Sequence, residues 1–273
     1  MSILKNKFFE YSFLMGAGLL YSLAFSPIDF KIGIFISLVI YFYILINSTI
    51  KSSLFKSYLY GIAVFTSGVS WIFNSIYYHG GEHLFFSLIM TLIFILFVSI
   101  FFIPIGYIIN KGNNKYRVYY PAIVSSTWVL MEIIRSNIFG GFPWLLAGFS
   151  QTGTIFDYLY PVFGVYFVSF IIVMISMMLL ILIFDLLDKN LLKIYSGIII
   201  SIFVIVSLVP IKSINTKDPL KITIIQPNIN LSVKYNESQL NNIKQELLKI
   251  MDNPINNLVI MPETAIPKIY QLD

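Results

Sequence analysis

Glu263 has the sequence context that most strongly suggests chemistry. It follows the apolar run Leu-Val-Ile-Met at 258–261 and is bracketed by Pro262 and Pro267, which restrict the backbone around it. A short, wholly apolar run is typical of a strand buried on both faces, and open α/β sheets bind ligands beyond the carboxyl ends of such strands. A carboxylate there could act as a general base. The alternative is a surface carboxylate at a strand end.

A second candidate site is the segment Gly-Gly-Phe-Pro-Trp at 140–144. The two glycines permit unusual backbone angles, and Pro143 stiffens the exit from the segment. Phe142 and Trp144 are aromatic residues of the kind that anchor at the level of lipid headgroups. The segment is therefore either an interfacial anchor or a lip that shapes lipid access to a site above a membrane.

Glu132 and Arg135 lie three residues apart in the run before this segment, so they can pair on one helix face. Ionisable groups within membrane helices are functional candidates by default, and a structural pair near the interface is the alternative. Arg135 is accordingly a candidate substrate-binding residue together with Phe142 and Trp144.

The segment His79-Gly-Gly-Glu-His83 matches the H-x-x-E-H pattern of one class of zinc peptidases. Its two central glycines disfavour the regular helix that this zinc chemistry needs, so neither a metal site nor another cofactor is predicted. The 273 residues include no cysteine, which excludes a thiolate metal site and a cysteine nucleophile among them.

The composition is that of a membrane protein. Hydrophobic residues make up 58% of the chain and charged residues 11%, whereas a soluble domain is about 25% charged. Charged residues occupy 18 of the first 210 positions and 13 of the last 63, so a domain boundary is predicted at 210–212. The Lys and Arg residues behind the net charge of +5 do not cluster, so nucleic acid is not a predicted partner.

Seven apolar runs before this boundary are of a length to cross a bilayer, which takes about 20 helical residues. They cover residues 8–25, 28–46, 54–76, 84–109, 117–134, 160–184 and 194–210. With a cytoplasmic N-terminus, the inside segments hold nine Lys and Arg residues, and the outside loops hold Lys31 and Arg135. This bias predicts that orientation, with residues 211–273 outside, in the periplasm of a diderm bacterium.

Residues 211–273 have the pattern of an α/β fold. Residues 220–226 alternate like a strand. Asn236 can cap a helix, in which apolar residues recur at helical spacing over 240–251, and the run 258–261 follows as a second strand. Two strands and one helix bury too little surface to stand alone. They are therefore expected to be the first part of a larger, incomplete domain.

Six segments, in their order and spacing, carry a resemblance to a known family. They are residues 71–80, 128–135, 141–151, 161–166, 225–229 and 262–267. Together they resemble the apolipoprotein N-acyltransferase family, and the resemblance runs over the whole length of the chain. It implies a transmembrane helical domain, residues 1–210, followed by the start of a nitrilase-type domain, residues 211–273.

The resemblance also implies an activity in the bacterial inner membrane. Such enzymes move an acyl chain from a phospholipid donor to a cysteine thiol, and then to the α-amino group of a diacylated apolipoprotein. Their catalytic set is Glu, Lys and Cys, and Glu263 corresponds to the base. The Lys and Cys would lie beyond Asp273, so the chain is expected to be an N-terminal portion that is inactive alone. A separate polypeptide that supplies the remainder is the alternative.

Two other functions stay open on the residues alone. A polytopic transporter or scaffold with a small periplasmic tail would need polar residues in mid-helix lining a path. A membrane-tethered amidase of the nitrilase superfamily would share Glu263 but would not need the segment 140–144.

Overall fold

A computed structural model describes residues 7–115, 119–184, 189–208, 220–229, 234, 237–251, 258–263 and 265. The chain divides into two compact units. The helical unit draws on Met1–Tyr77 and Glu82–Pro210, and the tail unit on Tyr78–Gly81 and Ile211–Asp273. The predicted boundary at 210–212 lies outside the described residues.

The helical unit is built from helices that coincide with the predicted apolar runs. They are α1 (Lys7–Leu23), α2 (Gly33–Ile46), α3 (Ile50–Val69), α4 (Ile72–Asn74), α5 (Leu84–Ser99), α6 (Ile103–Lys115), α7 (Tyr120–Asn137), α8 (Tyr160–Phe184) and α9 (Lys189–Ser207). The third run forms the pair α3 and α4, and the fourth forms α5 and α6, joined by the short 3₁₀ turn Ile100–Phe102. Within the described residues, each predicted run thus contains at least one of these helices, as its apolar composition predicts.

Two of the described helical segments are long and apolar enough to cross a membrane as single spans. Leu84–Lys111 has 28 residues with a mean hydropathy of 2.9, and Tyr160–Phe184 has 25 residues with 3.0. Ile50–Val69 and Ile72–His79 together would make a third span, bent by 55° at the break between them. These segments support a membrane protein, and the number of seven crossings stays a prediction.

A second break, between His79 and the start of α5, separates the two histidines of the zinc-like pattern. His79 ends a short π-helical turn, Ser75–His79, and His83 lies immediately before α5. Gly81, between them, has a φ of +68°, which a regular helix does not allow. The two histidines therefore do not share a helix face.

Aromatic side chains fill the centre of the helical unit. Tyr41 and Tyr60 stack with their ring centroids 4.0 Å apart, and Trp128 meets Phe102 edge to face at 5.3 Å. The hydroxyl of Tyr41 donates to the Oγ of Ser57 at 2.9 Å. The core is apolar with a few polar atoms. The Tyr41 hydroxyl is hydrogen-bonded, as buried polar groups generally are.

One buried ion pair joins α1 to α3. The ammonium of Lys56 donates to the Oε1 of Glu10 at 2.5 Å and to the Oγ of Ser48 at 2.7 Å. The Lys56 side chain is only 6% exposed. Lys56 lies in the second turn of α3, which begins at Ile50, four residues before the predicted run 54–76.

The tail unit has the predicted order of strand, helix and strand. These are β1 (Ile222–Ile224), α10 (Glu237–Met251) and β2 (Leu258–Ile260). The strands are parallel, with Thr223 opposite Val259, and the connection through α10 is the usual one for parallel neighbours. The proposed cap, Asn236, lies outside the described residues.

The prediction that β2 is buried on both faces is wrong. Leu258 and Ile260 are 42% and 43% exposed, while Val259 packs against the small core of Ile243 and Leu247 on α10. Alternate residues of a strand point to opposite faces. One face of β2 therefore packs on α10, and no described helix covers the other face.

Candidate functional site

The loop after α7 has an unusual backbone. Phe139, Gly140, Gly141 and Leu145 have φ angles of +52°, +87°, +82° and +56°. A Cβ on Gly141 would lie 2.1 Å from the backbone oxygen of Ser136, so this position requires glycine. The two glycines thus have the unusual backbone angles that the sequence suggested, whereas Phe139 and Leu145 adopt the left-handed region despite their side chains.

Arg135, near the end of α7, binds the backbone of this loop. Its Nη1 donates to the carbonyl oxygens of Phe142 at 2.7 Å and Trp144 at 2.6 Å. The guanidinium carbon lies 5.2 Å from the ring centroid of Phe65, and the residue is only 5% exposed. The guanidinium is therefore enclosed by protein groups.

Glu132 binds a different part of the same loop. Its Oε1 accepts hydrogen bonds from the Nε1 of Trp128 at 2.9 Å and from the backbone N–H of Ala147 at 2.7 Å. Among the described residues no salt bridge joins Glu132 to Arg135. The predicted pairing is therefore wrong. Arg135 binds carbonyl groups of the loop, and Glu132 binds an N–H of the loop, instead of binding each other.

Three residues that sequence reasoning missed complete the attachment of the loop. The Tyr21 hydroxyl donates to the oxygen of Leu145 at 3.1 Å. The N–H of Gly148 donates to the Oγ of Ser169 at 2.8 Å, and the Tyr160 hydroxyl donates to the oxygen of Gly148 at 2.5 Å. The one signal for them in the sequence is a hydroxyl within or beside an apolar run.

The two aromatic residues of the loop lie against each other. Phe142 and Trp144 stack with ring centroids 5.0 Å apart and an interplanar angle of 14°. Trp71 approaches Trp144 at 5.9 Å, and Phe94 meets Phe142 edge to face at 4.8 Å. The structure thus brings Trp71 of the segment 71–80 into contact with Trp144 of the segment 141–151, and both segments carried the resemblance.

Trp144 lies on the wall of a cavity of about 1170 Å³ within the helical unit. The cavity lies among the end of α1, the end of α3 and the loop, and Trp71 and Phe149 also line it. Its walls carry the ion pair of Lys31 with Asp29, whose Nζ and Oδ1 are 2.6 Å apart. Apolar and aromatic walls with one charged pair suit an amphiphilic ligand.

Glu263 lies in the tail unit, beside a separate cleft of about 200 Å³. It follows β2 at the carboxyl end of the two parallel strands, as predicted, and its side chain is exposed. Asn228, with a φ of +51°, and Lys234 line the same cleft. Described residues of the two tail segments that carried the resemblance, 225–229 and 262–267, therefore line one cleft beside Glu263.

A model of the apolipoprotein N-acyltransferase N-terminal domain matches residues 17–178, more than half of the chain. The chain belongs to the apolipoprotein N-acyltransferase family. Every residue that holds the loop, and every residue that lines the large cavity, lies within the matched range of this N-acyltransferase domain. Glu263 lies outside that range.

Curated relatives, each named apolipoprotein N-acyltransferase, extend the likeness along the chain. The protein of Pasteurella multocida is 28% identical over 278 residues, with 97% of this chain and 52% of the relative covered. That of Methylococcus capsulatus is 28% identical, with 93% and 51% covered. That of Wigglesworthia glossinidia brevipalpis is 32% identical, with 92% and 50% covered. The chain spans about half the length of these N-acyltransferases.

Proposed function

We propose that this chain supplies the lipid-binding helical part and the general base of an apolipoprotein N-acyltransferase. The reaction would transfer an acyl chain from a phospholipid to the α-amino group of an N-terminal S-diacylglyceryl-cysteine. The observation that carries the proposal is that the large cavity beside Trp144 lies wholly within the domain matched by the family, at residues 17–178.

The cavity would hold the acyl donor. Burying an acyl chain against apolar walls gains about 0.8 kcal/mol per methylene, and the rings of Trp71 and Trp144 offer a flat apolar surface. Lys31 and Asp29 would meet the polar end of the lipid, since both charges line the same cavity. Trp144 would therefore contact the lipid directly. Phe142 would support the Trp144 ring by stacking on it, and Arg135 would hold the backbone of both residues.

Glu263 would act as the base that activates a thiol. It would take the thiol proton as the sulfur attacks the donor ester, and the lysophospholipid oxygen that leaves would receive that proton. The amine of the acceptor would then displace the thiol. Because none of the 273 residues is cysteine, the chain cannot form this thioester on its own residues. The Lys and Cys of the family set would come from sequence outside this chain.

We further propose an inner-membrane location with seven crossings, a cytoplasmic N-terminus and residues 211–273 in the periplasm. The Lys and Arg bias of the loops supports this orientation. The chain lacks cysteine, so single cysteines can report it directly. An impermeant maleimide should label Thr152→Cys in intact spheroplasts and should label Asn113→Cys only after lysis. The opposite pattern would reverse the topology.

A chimera tests the function itself. The chain would replace the matched half of the Pasteurella multocida protein in a bacterium depleted of its own apolipoprotein N-acyltransferase. Mass spectrometry of a lipoprotein N-terminal peptide should then show a third acyl chain. The matched variant Glu263→Gln should lower the rate about 100-fold or more, since it removes the base. A chimera that reaches the membrane at normal levels and adds no acyl chain would contradict the proposal.

A further inference from the structure

The loop that carries Phe142 and Trp144 holds a conformation that its own residues disfavour. Phe139 and Leu145 have φ angles of +52° and +56°, where a side chain crowds the following carbonyl. Such residues persist where surrounding groups fix the backbone, and they concentrate at ligand-binding sites. The side chains that fix the backbone of this loop therefore determine where its two aromatic rings lie.

Arg135 grips the loop on both sides of Pro143. Its Nη1 donates to the oxygens of Phe142 and Trp144, which flank the proline, and its own backbone oxygen accepts from the N–H of Phe142 at 2.9 Å. One residue of α7 thus makes three hydrogen bonds to the two residues whose rings stack. Rotation of either peptide group would break at least one of these bonds.

The same geometry makes the guanidinium itself a poor ligand for a substrate. Arg135 is 5% exposed and lies over the ring of Phe65, whereas Trp144 is 47% exposed. Arg135 does not line the large cavity, and Trp144 does. A lipid in the cavity would therefore touch the indole ring and not the arginine.

We infer that Arg135 is a positioning residue, which sets the stacked rings of Phe142 and Trp144 in place before a lipid arrives. The placement of the rings is independent of the enzyme's chemistry. Its consequence, a preformed surface for the acyl donor, rests on the proposed function. A preformed surface avoids the loss of conformational freedom on binding, so Arg135 would act on donor affinity.

Trp144 reports its own placement, because the chain has three tryptophans and one of them is buried. Trp128 is 2% exposed and Trp144 is 47% exposed. In a Trp71→Phe background the water-soluble quencher acrylamide should therefore reach mainly Trp144. The full chain would be studied in detergent micelles. Phe142→Leu, which removes the stacking partner alone, sets the size of the change expected when the ring pair separates.

Arg135→Met should raise acrylamide quenching of Trp144 and shift its emission to the red, as Phe142→Leu does. Arg135→Lys should give an intermediate value, since an ammonium can still donate to a loop carbonyl. The matched control is Ser125→Ala, also buried on α7, whose hydroxyl bonds only within its helix to Pro121. It should leave Trp144 unchanged.

Unchanged Trp144 quenching in a folded Arg135→Met protein would overturn the positioning role. If that variant does not fold, Arg135→Lys decides the question, and quenching equal to the Ser125→Ala control overturns it. In the active chimera, Arg135→Lys should raise the KM for the phospholipid donor more than it lowers kcat. A moved Trp144 with an unchanged KM would overturn the lipid contact alone, and an inactive unsubstituted chimera would contradict the proposed function alone.

Discussion

The carboxylate of Glu132 accepts a hydrogen bond of 2.7 Å from the backbone N–H of Ala147, 15 residues further along the chain. A helix residue thereby fixes the far end of a loop that contains two bulky residues in the left-handed region. Non-helical backbone is tolerated at membrane depth where protein groups satisfy it. Glu132 meets that requirement for Ala147.

Replacing Glu132 with leucine should therefore destabilise the helical unit strongly. The substitution leaves two buried donors, the Nε1 of Trp128 and the N–H of Ala147, without their acceptor. Each such loss costs about 1–3 kcal/mol, so the free energy of unfolding should fall by about 2–6 kcal/mol in micelles. Glu132→Gln keeps an oxygen that accepts both bonds and should lose far less. Equal losses for the two variants would contradict this assignment.

Two serines of α8 offer a matched comparison. Ser169 and Ser176 are both fully buried, but Ser169 accepts from the loop N–H of Gly148, whereas Ser176 donates to Ile172 in its own helix. Ser169→Ala should lower the free energy of unfolding by about 1–3 kcal/mol, because a buried N–H loses its partner. Ser176→Ala should change it by less than about 1 kcal/mol, since the Ile172 carbonyl keeps its helical bond. Thermal melts of the two variants in one detergent would check the difference.

Two glycines of α1 should respond to alanine in opposite ways. A Cβ on Gly18 would lie 2.4 Å from the Cβ of Ala63 on α3, whereas a Cβ on Gly16 meets nothing within 4 Å. Gly16→Ala should stabilise the protein by up to about 1 kcal/mol through helix propensity. Gly18→Ala should destabilise it by about 1–3 kcal/mol, since the helices must separate. A stabilised Gly18→Ala protein would show that α1 and α3 do not pack this closely.

Adjacent leucines of α10 test the small core of the tail unit. Leu247 is 2% exposed and Leu248 47% exposed. Leu247→Ala should cost about 2–5 kcal/mol of local stability, the range for a buried leucine, and Leu248→Ala much less. Hydrogen exchange of the Ile225 amide, which bonds to the oxygen of Ile260 at 2.9 Å, would measure the local opening. Similar exchange rates in the two variants would mean that α10 does not pack on the strands through Leu247.

The sequence was informative wherever a structure depends on neighbouring residues. The helices follow the apolar runs because about 20 apolar residues must satisfy their backbone within one segment. The unusual backbone angles expected of Gly140 and Gly141 are present, with φ of +87° and +82°. The strand order of the tail follows from the alternation at 220–226 and the run at 258–261.

The partners of Arg135 and Glu132 could not be predicted from spacing. Residues three apart on a helix can pair. However, the loop that folds over α7 buries carbonyl and N–H groups, and leaving these groups without partners would cost more free energy than the loss of the ion pair. Tyr21 contacts the loop across 124 positions of sequence, so no local pattern marks it. The burial of β2 failed for a related reason, since it depends on which elements cover each face.

The pair of Glu10 and Lys56 has a consequence for biogenesis. A lone lysine costs up to about 3 kcal/mol to insert within an apolar helix, whereas Lys56 is neutralised by a carboxylate on α1. Because α1 precedes α3 in the chain, that carboxylate leaves the ribosome before the lysine needs it. We therefore expect α1 to assist the membrane insertion of α3. Deletion of α1 should lower the inserted fraction of α3, a defect that precedes any loss of ligand binding.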